Sequence, residues 1–160
     1  MAATGNTTLN KGIPDIEDAF IVIVKTEWNA HIVDKLEEGC VKVLQSGGAK
    51  TKTVVVPGAF EIPFAIKSLA HTKADAFIAL ATIIRGDTPH FDYVCQGITD
   101  GIIQLNLTLS SPVIFGVLTV ENEQQAQERI GGIHGHKGEE AAITAIKMIV
   151  LKRGSCHFEG

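Results

Sequence analysis

Paired cysteines are missing from this chain of 160 residues: Cys40, Cys95 and Cys156 are odd in number, far apart, and form no C-x-x-C. A disulfide framework or a structural zinc site needs pairs at ligand spacing, so reduced thiols are the expectation. No run approaches the roughly eighteen apolar residues of a spanning helix. The opening stretch, MAATGNTTLNKGIPDIED, has no apolar segment of the secretory kind, and a cytoplasmic location is expected. Excess positive charge is lacking as well. Fourteen Lys and Arg against eighteen Asp and Glu leave a net charge of −4. Neither nucleic acid nor a membrane is therefore an expected partner. G-x-G-x-x-G, G-x-x-x-x-G-K-[ST] and G-x-S-x-G do not occur. That leaves no support for a dinucleotide fold, a P-loop or a nucleophile elbow.

What the chain does contain is a rhythm. Hydrophobic residues make up 45% and charged ones 20%, a balance that suits one globular domain. Short apolar, β-branched runs at 19–24, 53–56, 76–84 and 113–120 read as strands covered on both faces. Helical spacing follows each: Ile32, Val33, Leu36, Cys40, Val43 and Leu44 after the first, closed by Gly47-Gly48. A short helix starts near Pro63, a long one carries Val94, Ile98, Ile102, Leu105 and Leu109, another covers 122–130, and a last one turns Ala142, Ile146, Ile149 and Val150 inward. Such alternation predicts a three-layer α/β/α sandwich of flavodoxin-like type with a four-stranded, mainly parallel sheet. The expected division is a flexible arm over 1–18, the domain over 19–152 and a tail over 153–160.

Ligands of such sheets bind beyond the C-terminal strand ends, and the unusual residues of this sequence lie there. The only tryptophan, Trp28, follows the first strand and offers a flat face for stacking on a ring, or for packing on the next helix. PGAFEIP over 57–63 follows the second, with Glu61 set among apolar neighbours where a carboxylate needs donors. RGDTPHF over 85–91 follows the third. Glycine, a hydroxyl and a helix start converge there, as a phosphate requires, and His90 supplies an imidazole, the group that exchanges protons near neutral pH. Arg129, near the end of the helix after the fourth strand, serves either as a dipole partner or as a phosphate clamp. His134 and His136 lie one residue apart on a glycine-rich turn with no further ligand fixed in sequence, which makes a weak metal motif. His31, His71 and His157 are isolated and read as surface residues.

PGAFEIP over 57–63, IRGDTPHFDYV over 84–94, VIFGVLT over 113–119 and Glu128-Arg129 occur in an order that resembles the lumazine synthase family, over about residues 13–152. The resemblance implies the penultimate enzyme of riboflavin synthesis. It joins 5-amino-6-(ribitylamino)uracil to 3,4-dihydroxy-2-butanone 4-phosphate, with no cofactor and no metal. By position it implies Trp28 stacked on the pyrimidine and Ala59, Phe60 and Glu61 along the ribityl chain and ring. The backbone of Thr82, Ile83 and Ile84 would read the pyrimidine edge. Gly86, Asp87, Thr88 and Arg129 would hold the phosphate, with His90 as the general acid/base. Phe115 would enter from a neighbouring subunit.

The family forms homo-pentamers, and some members close twelve of them into an icosahedral 60-subunit capsid that encloses riboflavin synthase. The short turn over 131–138 leans toward the shell, and the arm is expected to add a strand to a neighbour's sheet. Three positions depart from the family. Asp87 puts a carboxylate in the phosphate loop, to point away or pair with Arg85 or a lysine. Glu27 precedes Trp28 where some relatives have arginine. Ile133 replaces a lysine, a loss for which Lys137 is the candidate compensation. A non-catalytic carrier of a lumazine or flavin and a purely enclosing shell are the rival readings.

Overall fold

The structure, a computed structural model, describes residues 11–155. The first β-branched run forms β1 (Phe20–Thr26), followed by α1 (Ala30–Ser46), β2 (Lys50–Val56), α2 (Ile62–Leu69) and β3 (Ala76–Ile84). The chain continues through α3 (His90–Thr108), β4 (Val113–Val120), α4 (Glu123–Gln127), a small antiparallel pair β5 (Ile130–Gly132) and β6 (Gly135–His136), and α5 (Lys137–Ser155). The four long strands make one sheet in the order β2-β1-β3-β4, and every pairing in it is parallel.

Period-two alternation divides each strand between two cores. Ile21 and Ile23 of β1, Ile78 and Leu80 of β3, and Ile114 and Leu118 of β4 pack under α1 and α5 with Leu36, Cys40, Leu44 and Ile146. The intervening residues, Val22, Val24, Phe77, Ala79 and Val117, face α2 and α3 with Ile62, Ile66, Ile98 and Ile102. A sheet buried on both faces is the three-layer sandwich expected from the sequence. Lys25 carries charge into the α1 side, where it bonds Asp34 at 2.8 Å and Glu37, which also accepts from Thr53. Burial opposes the ammonium there, but those bonds outweigh it and raise its pKa.

β1 runs two residues further than the expected 19–24, and three other differences have a local reason. β2 begins at Lys50 rather than 53, because as an edge strand it shows lysines to water and so lacks an apolar signature. The helix expected over 122–130 ends at Gln127. Asn122 caps its start by accepting from Gln125 N at 3.0 Å, and the chain soon enters β5, which carries Gly131 at φ 112°. α2 does start at Pro63's turn, but a 3₁₀ turn over Ala59–Glu61 precedes it. In the segment read as an arm, residues 1–10 lie outside the described residues. Ile16 is fully buried under α1, and its N–H donates to Gly47 O at 3.0 Å. α5 runs on to Ser155, while Cys156 and His157 lie outside the described residues. Among the described residues no helix is long and apolar enough to cross a membrane.

The α1 face depends on one close approach. A Cβ at Gly138, in the first turn of α5, would stand 2.0 Å from the Leu36 carbonyl oxygen of α1, where backbone cannot yield. Gly154 near the other end of α5 has open space around it. Overpacking of this kind costs about 1–3 kcal/mol, so Gly138→Ala should lower the thermal midpoint by roughly 3–10 °C. Gly154→Ala should leave it unchanged or raise it slightly. Thermal melts of both variants, followed by circular dichroism, check the contrast.

Candidate active site

At the C-terminal ends of β1, β2 and β3 lies a cavity of about 700 Å³. Trp28 lines it from the β1 end, Ala59, Phe60 and Glu61 from the β2 end, Thr82, Ile83 and Ile84 from β3 itself, and Gly86, Thr88 and His90 from the loop into α3. Ten of the residues picked out in sequence therefore share one space. Thr26, Asn29, Pro57, Gly58, Phe91, Tyr93 and Val94 complete its walls; sequence reasoning gave Asn29, Phe91 and Tyr93 no role and placed Val94 only on the apolar face of α3.

The strand ends are stitched so that this space stays open. Glu27 N donates to Val56 O at 2.8 Å and Trp28 N to Pro57 O at 3.2 Å, which carries the ladder past the end of β1. Thr26 Oγ1 then donates to Trp28 O at 3.0 Å. The chain turns away through Asn29, held left-handed at φ 58°, a conformation that asparagine tolerates better than most residues. The turn leaves the Trp28 side face open, with the residue 70% exposed. Trp28 does not pack into a helix, the alternative raised by the sequence. Gly58 lies so close to Glu61 that a Cβ there would stand 3.0 Å from its Oε2. The carboxylate thus rests on bare backbone beside the indole.

β3 supplies the third wall by running past its neighbour. Pairing with β1 ends at Leu80, opposite Lys25, whereas pairing with β4 continues to Ile84, opposite Val120. Successive peptide groups alternate between the two edges of a strand. Arg85 N donates to Val120 O at 2.9 Å on the β4 side, and Thr82 O accepts from Asn29 Nδ2 at 2.7 Å on the other. The Ile84 peptide groups therefore share the Asn29 edge, with no strand beside them. A planar heterocycle presenting donors and acceptors along one rim suits that edge. The Thr82 hydroxyl is buried and has no partner.

The remaining sequence candidates lie elsewhere. Asp87 is exposed and does not line the cavity, although Gly86 and Thr88 on either side do. Of the alternatives open to its charge, pairing with Arg85 does not form, because that guanidinium is engaged by Asp92 and Glu121. Phe115 lines a different groove, about 620 Å³, along the outer edge of β4, together with Lys137. The Lys137 side chain is only 3% exposed, and its Nζ donates to Glu140 at 2.7 Å. Arg129 borders neither space. It donates to Gln125 O at 2.8 Å, the helix-end bond that sequence offered as its alternative role. Ile133 is exposed. His136 lays its ring over Gly39, and His134 Nε2 stands 3.6 Å from Glu128. Among the described residues no group of three or more His, Cys, Asp or Glu is placed to hold a metal ion. His31 and His71 are exposed.

Among the described residues no cysteine replaces an imidazole as the reactive group of the cavity. Cys40 is buried beneath α1, where desolvation, helped by Glu37, pushes its thiol up to about 12. Burial and nearby Asp92 raise Cys95 too. Neither lines the cavity, and a thiol held protonated is a poor nucleophile. The space thus combines an open indole, an unpaired strand edge, a carboxylate, an imidazole and a glycine-containing loop at a helix start.

Comparison with known proteins identifies the family. The family model described as 6,7-dimethyl-8-ribityllumazine synthase matches residues 18–153. A protein of that name from Parabacteroides distasonis is 51% identical over 141 residues, 86% of this chain and 88% of the relative. One from Porphyromonas gingivalis is 48% identical over 89% of this chain and 91% of its own length. One from Bacteroides fragilis is 50% identical over 79% and 92%. With the matched span holding every strand of the sheet and both halves of the residue set, the chain belongs to the 6,7-dimethyl-8-ribityllumazine synthase family.

Proposed function

We propose that the chain condenses 5-amino-6-(ribitylamino)uracil with 3,4-dihydroxy-2-butanone 4-phosphate to give 6,7-dimethyl-8-ribityllumazine, phosphate and water, in a site that two copies of the chain build together. The observation that carries this reading is the division of the site. The cavity holds every expected residue for the pyrimidine and the proton transfers, while Phe115 and Arg129 face away from it. A neighbouring copy that brings its β4 groove and α4 end to the mouth of the cavity supplies the missing wall and the missing cation.

In this reading the pyrimidine stacks on Trp28, and its rim meets the free edge of β3 at Ile84. Glu61 accepts from ribityl hydroxyls beside Phe60. The phosphorylated ketone lies against Gly86 and Thr88, whose N–H groups share the helix-start field of α3 with the partner's Arg129. The primary amine attacks the ketone carbon, and His90 passes protons as water leaves and the imine forms. Phosphate then departs by elimination, and the ribityl-bearing nitrogen attacks the carbonyl that remains, closing the ring as a second water leaves. Most of the acceleration comes from holding two reactants in register, for which effective molarities are large. Few reactive side chains are then needed.

Assembly follows from the same surfaces. Phe64 on α2 is 79% exposed and Leu107 on α3 75%, with Ile103 one helical turn before it. Apolar side chains left this open on α2 and α3 are candidates for cover by a neighbouring copy. A homo-pentamer covers them. The outer edge of β4 accepts a strand from a neighbour's first residues, while Lys137 in that groove is held by Glu140 and does not replace the cation missing at Ile133. Closure of pentamers into a 60-subunit shell around riboflavin synthase, in the cytoplasm, completes the proposal.

Mixing both substrates with the purified protein and following lumazine absorbance tests the reaction; no gain over the spontaneous rate would end the reading. His90→Ala should slow turnover about 10²-fold and leave a residue of activity, because positioning survives the loss of the proton carrier. Co-expression of His90→Ala with Arg129→Ala chains should restore about a quarter of wild-type activity, since a shared head-to-tail interface then forms some intact sites. No recovery above the separate variants would place both residues in one chain's site. Titration with the pyrimidine substrate should quench Trp28 fluorescence, and a flat titration would remove the indole from the site.

A further inference from the structure

We infer that Arg85 is a positioning residue, which clasps Asp92 and Glu121 and so fixes the Gly86–Thr88 loop and His90 in place; the inference rests on the phosphate reading of that loop. Residues 86–90 are all exposed. Within them His90 N meets Thr88 Oγ1 at 3.4 Å, and Asp92 N closes the turn on Pro89 O at 3.0 Å. Local bonds of that kind shape a turn but do not anchor it to the sheet. Arg85 does so from the start of the loop. Its N–H donates to Val120 O, its Nε donates to Glu121 Oε2 at 2.7 Å, and its two terminal nitrogens fork onto Asp92 at 3.1 and 3.4 Å. Its guanidinium carbon also lies 4.1 Å from the centre of the Phe91 ring, a wall of the cavity. One side chain thus ties the ends of β3 and β4 to the first turn of α3 and closes the loop into a ring from 85 to 92.

Two arguments separate this role from the obvious alternatives. Exposed ion pairs contribute little to stability, so the clasp matters for geometry rather than for holding the fold together. Nor is Arg85 a phosphate ligand in this arrangement. Its charge is met by two carboxylates and its fork is taken, so an incoming dianion would face a net negative group. Positive charge for the phosphate then comes from Arg129, and the loop offers N–H groups whose aim depends on the clasp. An error of an ångström in such aim is enough to cost a large factor in rate.

The test compares Arg85→Met, Arg85→Lys, Asp92→Asn, Thr88→Val and the Arg85→Met/Asp92→Asn double variant in the assembled enzyme. The expected result is a rise of about tenfold in KM for the phosphorylated ketone in Arg85→Met and Asp92→Asn, with the same loss in inhibition by inorganic phosphate. Arg85→Lys should not rescue, because an ammonium cannot fork, and the double variant should be no worse than either single one. Pyrimidine affinity by Trp28 quenching and the thermal midpoint should barely move. If Arg85→Met raises KM and Asp92→Asn does not, Arg85 binds the phosphate itself and the clasp is overturned. An unchanged Arg85→Met beside an impaired Thr88→Val also overturns it while leaving the loop reading intact. Should Thr88→Val and Arg85→Met both leave KM unchanged, the loop reading fails and the inference with it.

Discussion

The cavity exists because β3 outlasts β1. β1 leaves the ladder opposite Leu80 while β3 stays paired with β4 to Ile84, so the centre of a parallel sheet ends in a step with one bare edge. Backbone groups on such an edge are obligatory donors and acceptors, and they need partners or water. Asn29 takes the first of them at Thr82 and no strand takes the rest. The left-handed turn at Asn29, the open face of Trp28 and the close seat of Glu61 over Gly58 all follow from where β1 has to turn away. A β1 longer by one turn of the ladder would fill the site with protein.

That step also explains why the binding groups divide as they do. Uncharged recognition, by stacking and by backbone, is built from strand ends of one chain and is complete there. The cation for a phosphate is not. Arg129 caps its own short helix and Lys137 is buried against Glu140, both away from the cavity. Arg85, the cation nearest the loop, is neutralised by two acids. In the proposed assembly the cation comes from a second copy, so the ring half-site would be formed before assembly and the phosphate half-site only after it.

The sequence was most legible where burial is two-sided. β3 and β4 are apolar on both faces, and their ends at Ala76, Ile84, Val113 and Val120 could be read directly. Edge strand β2 hid its first half behind Lys50 and Lys52, and α4 gave way to a glycine turn that helical spacing alone does not reveal. Ile16 looked like part of a polar arm because one apolar residue carries no periodicity, yet it is wholly buried. At the site, motifs at the strand ends found the residues that face the cavity. They did not find Asn29 or the true partners of Arg85, because a tie between loops joins positions far apart in sequence. An asparagine directly after the tryptophan, and acids at 92 and 121 flanking the loop, are the signals that were present.

Reaction by approximation asks more of loops than of side-chain chemistry. Neither Cys40 nor Cys95 is an available nucleophile, and His90, the one imidazole lining the cavity among the described residues, stands on an exposed turn. A site of that kind works only if its exposed parts are held as firmly as a core would hold them. Here the holding is electrostatic and local: a forked guanidinium at one end of the loop, an asparagine amide at the other side of the cavity, and parallel strands beneath both. Such ties are weak in free energy and specific in direction. They need only outlast the encounter of two small molecules, so direction rather than strength is what the reaction requires of them.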